Sequence, residues 1–210
     1  MYAASFDYHR PRSLAEAADL LRKDPDARLL AGGHSLLPAM KLRLALPTAL
    51  VDLSGLRGEL AGIKGSGGTL AIGALTTHAA VAASDAVRSS CPLLAETAAQ
   101  IGDLQVRNRG TIGGSIAHAD PAADYPTALV ALGAALETGG ARSRKVPVEG
   151  FFKGLFATDL QTGEILIAVH VPTYGKGTGG AYLKHRHPAS SYAVVGVAAL
   201  VTMDGGRCSR

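Results

Sequence analysis

Polar and apolar positions alternate along the chain with two different periods, and the period changes mark its elements. In residues 13–23, Leu14, Ala17, Ala18 and Leu21 recur at helical spacing behind Ser13 and Glu16, a capping-box pair, and Asp24-Pro25 stops the pattern. An amphipathic first helix is predicted. Residues 28–31 form a short apolar strand that runs into Gly32-Gly33, after which Ser35 is placed to cap a second helix to about residue 43, with Pro38 in its first turn. Residues 49–53 are a second buried strand, so the first 55 residues predict an αβαβ unit with parallel strands. Residues 60–64 and 69–73 flank Gly65-Ser66-Gly67-Gly68, the composition of a hairpin.

Beyond the hairpin, helical patches are predicted near residues 77–83 and 92–101. A polar, glycine-punctuated stretch follows at 103–124. Residues 125–133 read as a helix, 135–138 as a strand closed by a Gly139-Gly140 turn, and 164–171 as a strand closed by Pro172. Residues 174–180 are linker-like, which puts a boundary there. Residues 181–185 and 192–203 then read as strands joined to a turn at 204–206, with no room left for the returning strand.

Composition narrows the classes. The 210 residues are 47% apolar, 18% charged and 5% aromatic, which is too apolar for a disordered polyelectrolyte. The net charge of +4 is mild, Trp is absent and the basic residues are scattered, so no nucleic-acid footprint is present. The longest apolar stretch, residues 193–203, is far short of the roughly 20 residues of a membrane span. The first eight residues lack a basic n-region and an apolar h-region, so residence in the cytoplasm is expected. Cys91 and Cys208 have no partner at ligand spacing, and neither a zinc nor an iron–sulfur site is expected in this chain. His185 and His187 share a strand face without an evident third ligand, so no metal site is assigned to them.

Two glycine loops carry candidate chemistry. Ala31-Gly32-Gly33-His34-Ser35 lies between a strand and a helix, where close backbone approach, free N–H groups and a helix N-terminus make a phosphate cradle. It matches neither Gly-x-Gly-x-x-Gly nor Gly-x-x-x-x-Gly-Lys-Ser/Thr. Ser35 lacks the Gly-x-Ser-x-Gly setting of a nucleophile. About eighty residues later Gly110-Thr111-Ile112-Gly113-Gly114-Ser115 repeats the theme, and two such nests suit the two halves of one pyrophosphate. Asp124 opens a helix, either as an ordinary N-cap or as an acceptor for ribitol or ribose hydroxyls. Lys184, within Lys184-His185-Arg186-His187, reads on its own as part of a solvated basic edge. Tyr192 opens an apolar strand, where core packing and a cofactor contact are both open.

Residues 31–38 and 111–124 together resemble the paired flavin motifs of the FAD-binding medium subunit of molybdenum hydroxylases, the xanthine dehydrogenase family, and in particular its carbon-monoxide-dehydrogenase type. Supporting segments are residues 6–11, 50–53, 105–108, 163–172 and 182–184, so the resemblance spans essentially the whole chain. It implies an α+β, two-subdomain FAD-binding fold of the p-cresol-methylhydroxylase type: residues 1–55, residues 56–176, and at 177–210 the start of a truncated C-terminal domain. It implies FAD held without a covalent bond by Ala31, Gly32, Gly33, His34, Ser35 and Leu36 and by Thr111, Gly113, Gly114 and Ser115, through backbone N–H groups. Position 115 is more often Asn in the family. Asp124 would bind flavin-side hydroxyls, Ile101 and Leu166 would line the slot, Lys184 would lie near the flavin ring system and Tyr192 would shield one ring face.

The resemblance assigns no residue of this chain to bond-breaking on the substrate. Electrons would come from 2Fe-2S clusters in a small subunit, beside a molybdopterin-containing large subunit, and would leave to quinone, NAD or dioxygen from a heterohexamer. A free-standing flavin oxidoreductase of the same fold and a non-catalytic nucleotide binder remain alternatives.

Overall fold

The computed structural model describes residues 2–209. The N-terminal layer runs Asp7–His9 (β1), Leu14–Lys23 (α1), Arg28–Leu30 (β2), Leu36–Lys41 (α2) and Ala49–Asp52 (β3), with the strands parallel in the order β1-β3-β2. Helix α1 starts where its cap dictates: Ser13 accepts from the Glu16 amide at 3.1 Å. The reciprocal Glu16 carboxylate reaches the Arg12 amide at 2.8 Å, one residue earlier than a standard box. Two expectations need correction. Strand β1 was not foreseen, since its three residues are all exposed and show no alternation; it exists through its ladder to β3. Helix α2 is shorter than expected and Ser35 does not cap it: its backbone is helical (φ −103°, ψ −48°) rather than extended, and its hydroxyl bonds no helix amide.

A 3-10 turn at Leu53–Leu56 and the short helix Arg57–Leu60 (α3) lead into the hairpin Ile63–Ser66 (β4) and Thr69–Gly73 (β5). Gly67 and Gly68, at φ +56° and +77°, make its two-residue turn, as the primed turns of tight hairpins require. Six helices follow: His78–Ala83 (α4), Asp85–Ser90 (α5), Pro92–Ala99 (α6), Leu104–Arg109 (α7), Ile112–His118 (α8) and Asp124–Leu132 (α9). Helix α5 is not among the elements expected from the sequence, and α7 and α8 occupy the polar, glycine-punctuated stretch 103–124 to which no element was assigned. Glycine disfavours helix by about 1 kcal/mol per residue, and tertiary contact overrides that cost here. A Cβ on Gly113 would lie 2.5 Å from Ala74 Cβ, so only glycine lets α8 settle against that backbone.

Strands Ala135–Gly140 (β6), Arg144–Pro147 (β7) and Glu164–Pro172 (β10) complete an antiparallel sheet in the order β4-β5-β10-β6-β7, while Phe152–Gly154 (β8) and Ala157–Thr158 (β9) form a separate ribbon. Strand β6 carries on through Gly139 and Gly140, which were expected to turn. Between this sheet and the helices lies the larger core, with Ile72, Leu93, Ile112, Tyr125 and Leu136 out of contact with solvent. A smaller core joins α1 to β3 and β10 through Ala17, Ala18, Val51 and Ile165.

The last sheet is antiparallel: Thr178–Arg186 (β11), Ala193–Asp204 (β12) and Arg207–Cys208 (β13). Strand β11 begins inside the expected linker, with Thr178 paired to Thr202, and β13 supplies the first two residues of a returning strand thought to be missing. One face of this sheet packs on α6 and α9 through Tyr182, Ala198 and Leu200, and the other leaves Leu183, Val195, Val197 and Val201 exposed. Among the described residues, no helix is long and apolar enough to cross a membrane.

Candidate functional site

The loop after β2 is an open nest. Among the described residues, the amides of Gly32, Gly33, His34 and Ser35 have no acceptor in the protein, and Gly33 sits at φ +76°. Unpaired backbone donors converging beside a helix start form a ready site for an anion. The second loop is built differently from expectation. Thr111 is extended and caps α8, accepting from Gly114 N at 3.2 Å, while the amides of Ile112, Gly113 and Ser115 donate to Thr76 O, Ala74 O and Thr111 O. These amides are already spent, so the second loop offers close approach rather than a second set of free donors. A Cβ on Gly32 would stand 2.3 Å from Arg109 O, and one on Gly114 would stand 3.7 Å from Ala31 Cβ. The absent side chains allow the two loops to meet.

A cavity of about 790 Å³ opens between them, within the ~300–1,000 Å³ range of cofactor and small-molecule sites. Ala31, Gly32, Gly33, His34, Ser35 and Leu36 line it, as do Thr111, Gly113, Gly114 and Ser115, and Ile101, Asp124, Leu166, Lys184 and Tyr192. The structure thus brings every candidate residue to one space. Leu166 reaches it beside a register shift between Leu166 and Ala168, where β10 bulges against β6.

Asp124 and Lys184 correct their local readings. Asp124 is the first residue of α9, not its cap, which is Ala123. Its carboxylate is 5% exposed and accepts from the Tyr182 hydroxyl at 2.6 Å and from Lys184 Nζ at 2.9 Å. Lys184 Nζ also donates to Gln100 O at 3.1 Å, and its side chain is 1% exposed, so it belongs to no solvated edge. Strand alternation explains this: positions 182 and 184 face inward together, while Leu183 and His185 face out. Burial, and then the bond to Asp124, hold the Tyr182 hydroxyl protonated by raising its pKa. Tyr192 precedes β12 and is 46% exposed on the cavity, so it is not a core residue; burial, with Asp120 and Asp124, raises its pKa. Among the described residues, no cluster of three His, Cys, Asp or Glu side chains is placed for a metal.

Sequence reading gave no role to His78, His118 or the stretch 158–165, and His78, His118, Thr158 and residues 160–165 line the cavity. That stretch is held by Arg144, which donates to Glu164 at 2.7 and 2.8 Å and to the Asp159 carboxylate at 2.7 Å. Contact with Arg144 holds both carboxyls below their ordinary pKa. A folded-state pKa lowered this way adds stability that is complete above the ordinary value, 4.5 for Glu164, and is lost as pH falls through the folded value. The difference in melting temperature between the wild type and Arg144→Met is therefore expected to be largest above about pH 5 and to shrink toward pH 3. A difference independent of pH would show that these pairs carry no stability.

Comparison with known proteins supplies the family. The family model for the FAD binding domain in molybdopterin dehydrogenase matches residues 4–174. The chain is 45% identical over 210 residues to the carbon monoxide dehydrogenase medium chain of Afipia carboxidovorans, covering 99% of this chain and 73% of that one. It is 41% identical to the glyceraldehyde dehydrogenase medium chain of Sulfolobus acidocaldarius, covering 98% and 73%. Among solved structures, carbon monoxide dehydrogenase from Hydrogenophaga pseudoflava superposes with a TM-score of 0.96 at 44% identity, covering all of this chain and 74% of that one. Quinoline 2-oxidoreductase from Pseudomonas putida superposes at 0.92 and 39% identity, covering 99% and 72%. The α+β fold expected from the two loops is the fold of these chains, and the protein belongs to the family of FAD-binding domains of molybdopterin dehydrogenases.

Proposed function

We propose that this chain is the FAD-carrying electron-transfer subunit of a molybdenum hydroxylase of the carbon-monoxide-dehydrogenase type. The observation that carries the reading is the nest of unpaired amides at residues 32–35, facing the glycine-opened start of α8 across a 790 Å³ cavity. The fit is specific in chemistry: four donors without acceptors call for an anion, and a pyrophosphate supplies one. When bound, FAD supplies reversible two-electron storage. The protein's part is to hold and orient it. Residues 32–35 would grip the phosphates, Ile101 and Leu166 would give apolar walls, and Lys184, fixed by Gln100 and Asp124, would set a positive charge in the cavity wall. Tyr192, half-exposed where it lines the cavity, would cover one face of the flavin ring.

The relatives are medium chains of dehydrogenases, and the two cysteines of this sequence are too few for the four ligands of a 2Fe-2S cluster, which supports a small subunit carrying the clusters beside a large one carrying the molybdopterin. The assembly is a cytoplasmic heterohexamer that delivers electrons to quinone, NAD or dioxygen. The three larger sheets fall within residues 1–55, 56–176 and 177–210, which we take as the two FAD-binding subdomains and the start of the C-terminal one.

The test is an absorbance spectrum after FAD addition and desalting. A retained flavin band that bleaches with dithionite is expected. A colourless protein that holds ADP but no FAD would replace this reading with that of a nucleotide binder.

A further inference from the structure

His78 is the first residue of α4, and its backbone N–H donates to Gly110 O at 3.0 Å. Its side chain is 4% exposed and lines the cavity. Nδ1 lies 3.3 Å from the hydroxyl of Tyr125, which has no contact with solvent and no other hydrogen-bond partner among the described residues. Nε2 has no hydrogen-bond partner among the described residues. Yet it is not sealed off, because among the described residues the Tyr174 hydroxyl is the one side-chain polar atom that is both sealed and unpartnered. Nε2 therefore opens onto the cavity. A Cβ on Gly110 would lie 2.6 Å from Nε2, and the Gly110 Cα would lie 2.8 Å from a Cβ on Gly32. The imidazole thus stands at the point where the two glycine loops touch.

The tautomer follows from counting protons. If Nδ1 carried the ring proton and donated to Tyr125, the buried hydroxyl hydrogen would have no acceptor, at a cost of about 1–3 kcal/mol. With the hydroxyl donating to Nδ1, the proton sits on Nε2 and points a donor into the cavity. Burial first, then the charges of His34 and Arg107, push the histidine pKa down to about 4, so the ring is neutral near pH 7 and keeps this arrangement. The loop junction then offers five donors without a protein acceptor among the described residues: four backbone amides and one imidazole N–H.

Resting on the FAD reading above, we infer that His78 Nε2–H is a fifth donor to the cofactor's pyrophosphate, with Tyr125 as the positioning residue that fixes its tautomer. The test titrates the wild type, His78→Leu and His78→Gln with FAD and with ADP. Leucine is expected to weaken both ligands by about 10- to 100-fold, the range for a hydrogen bond to a charged group, and glutamine to recover most of it. Unchanged affinity in His78→Leu, or a loss for FAD without one for ADP, would overturn the inference and leave the FAD reading standing. Failure of the wild type to bind either ligand would instead remove the FAD reading. Should His78→Leu not fold, nitrogen NMR of wild-type His78 near pH 7 decides: the Nε2–H tautomer with a shift on adding ADP is expected, and the Nδ1–H tautomer refutes it.

Discussion

Gly33→Asp is expected to give a folded protein that loses FAD completely on desalting. Two effects combine. Gly33 lies at φ +76°, where an L-residue costs roughly 1–2 kcal/mol, and its Cβ would come 2.9 Å from Leu37 Cδ1, a flexible side-chain end that can yield. The larger effect is electrostatic. A carboxylate here would put a negative charge beside the nest of amides at 32–35, on a Cβ that starts out against Leu30 and Leu37, and would oppose the incoming phosphates; like charges so placed cost several kcal/mol, or about 10²- to 10³-fold or more in affinity. Gly33→Ala separates the two effects, since it keeps the strain without the charge, and is expected to retain part of the flavin. Gly114→Asp should match Gly33→Asp, because its Cβ would crowd Thr111 Oγ1 at 2.8 Å and face Ala31 across the gap. Flavin content at the wild-type level in either aspartate variant would remove the phosphate assignment from that loop.

These two loops were legible in the sequence because the Gly-Gly-small-polar pattern occurs twice, and two backbone nests suit the two halves of one pyrophosphate. What each loop does with its amides was not legible. Ser35 and Thr111 are equivalent as letters, yet one leaves the nest open and the other closes a helix cap, a difference set by backbone angles that tertiary packing imposes. Elements with local signals were readable for the same reason that some sites were not. Helix α1 announces itself through Ser13, Glu16 and an apolar stripe, and the β4–β5 turn through Gly67-Gly68. Strand β1 and helix α8 take their stability from partners distant in sequence: the β3 ladder, Ala74 and Thr76. His78 and Arg144 gave no signal at all, since a single histidine or arginine acquires meaning only from Tyr125, Asp159 or Glu164 brought beside it.

Lys184→Met is expected to lower the stability of the fold by about 3–5 kcal/mol, the usual cost of leaving one member of a buried ion pair without its partner. Lys184 and Asp124 are both withdrawn from water, and without the ammonium the carboxylate keeps only the Tyr182 hydroxyl. In a chain of this size each kcal/mol moves the melting temperature by roughly 2–4 °C, so a fall of about 6–20 °C should be read by thermal unfolding. Asp124→Asn strands the ammonium instead and should cost a similar amount, whereas Tyr182→Phe removes one hydrogen bond and should cost less. The double variant Lys184→Met/Asp124→Leu removes both charges and is expected to be more stable than either charge-stranding single, the non-additivity that marks a direct pair. Strict additivity, or an unchanged melting temperature in Lys184→Met, would mean that water reaches the pair in solution. The pair ties β11 to the first turn of α9 and, through Gln100, to the end of α6, so its loss loosens the wall that carries Tyr192 as well. FAD should accordingly raise the melting temperature of Lys184→Met by less than it raises that of the wild type, because stabilisation by a ligand scales with its affinity for the folded state.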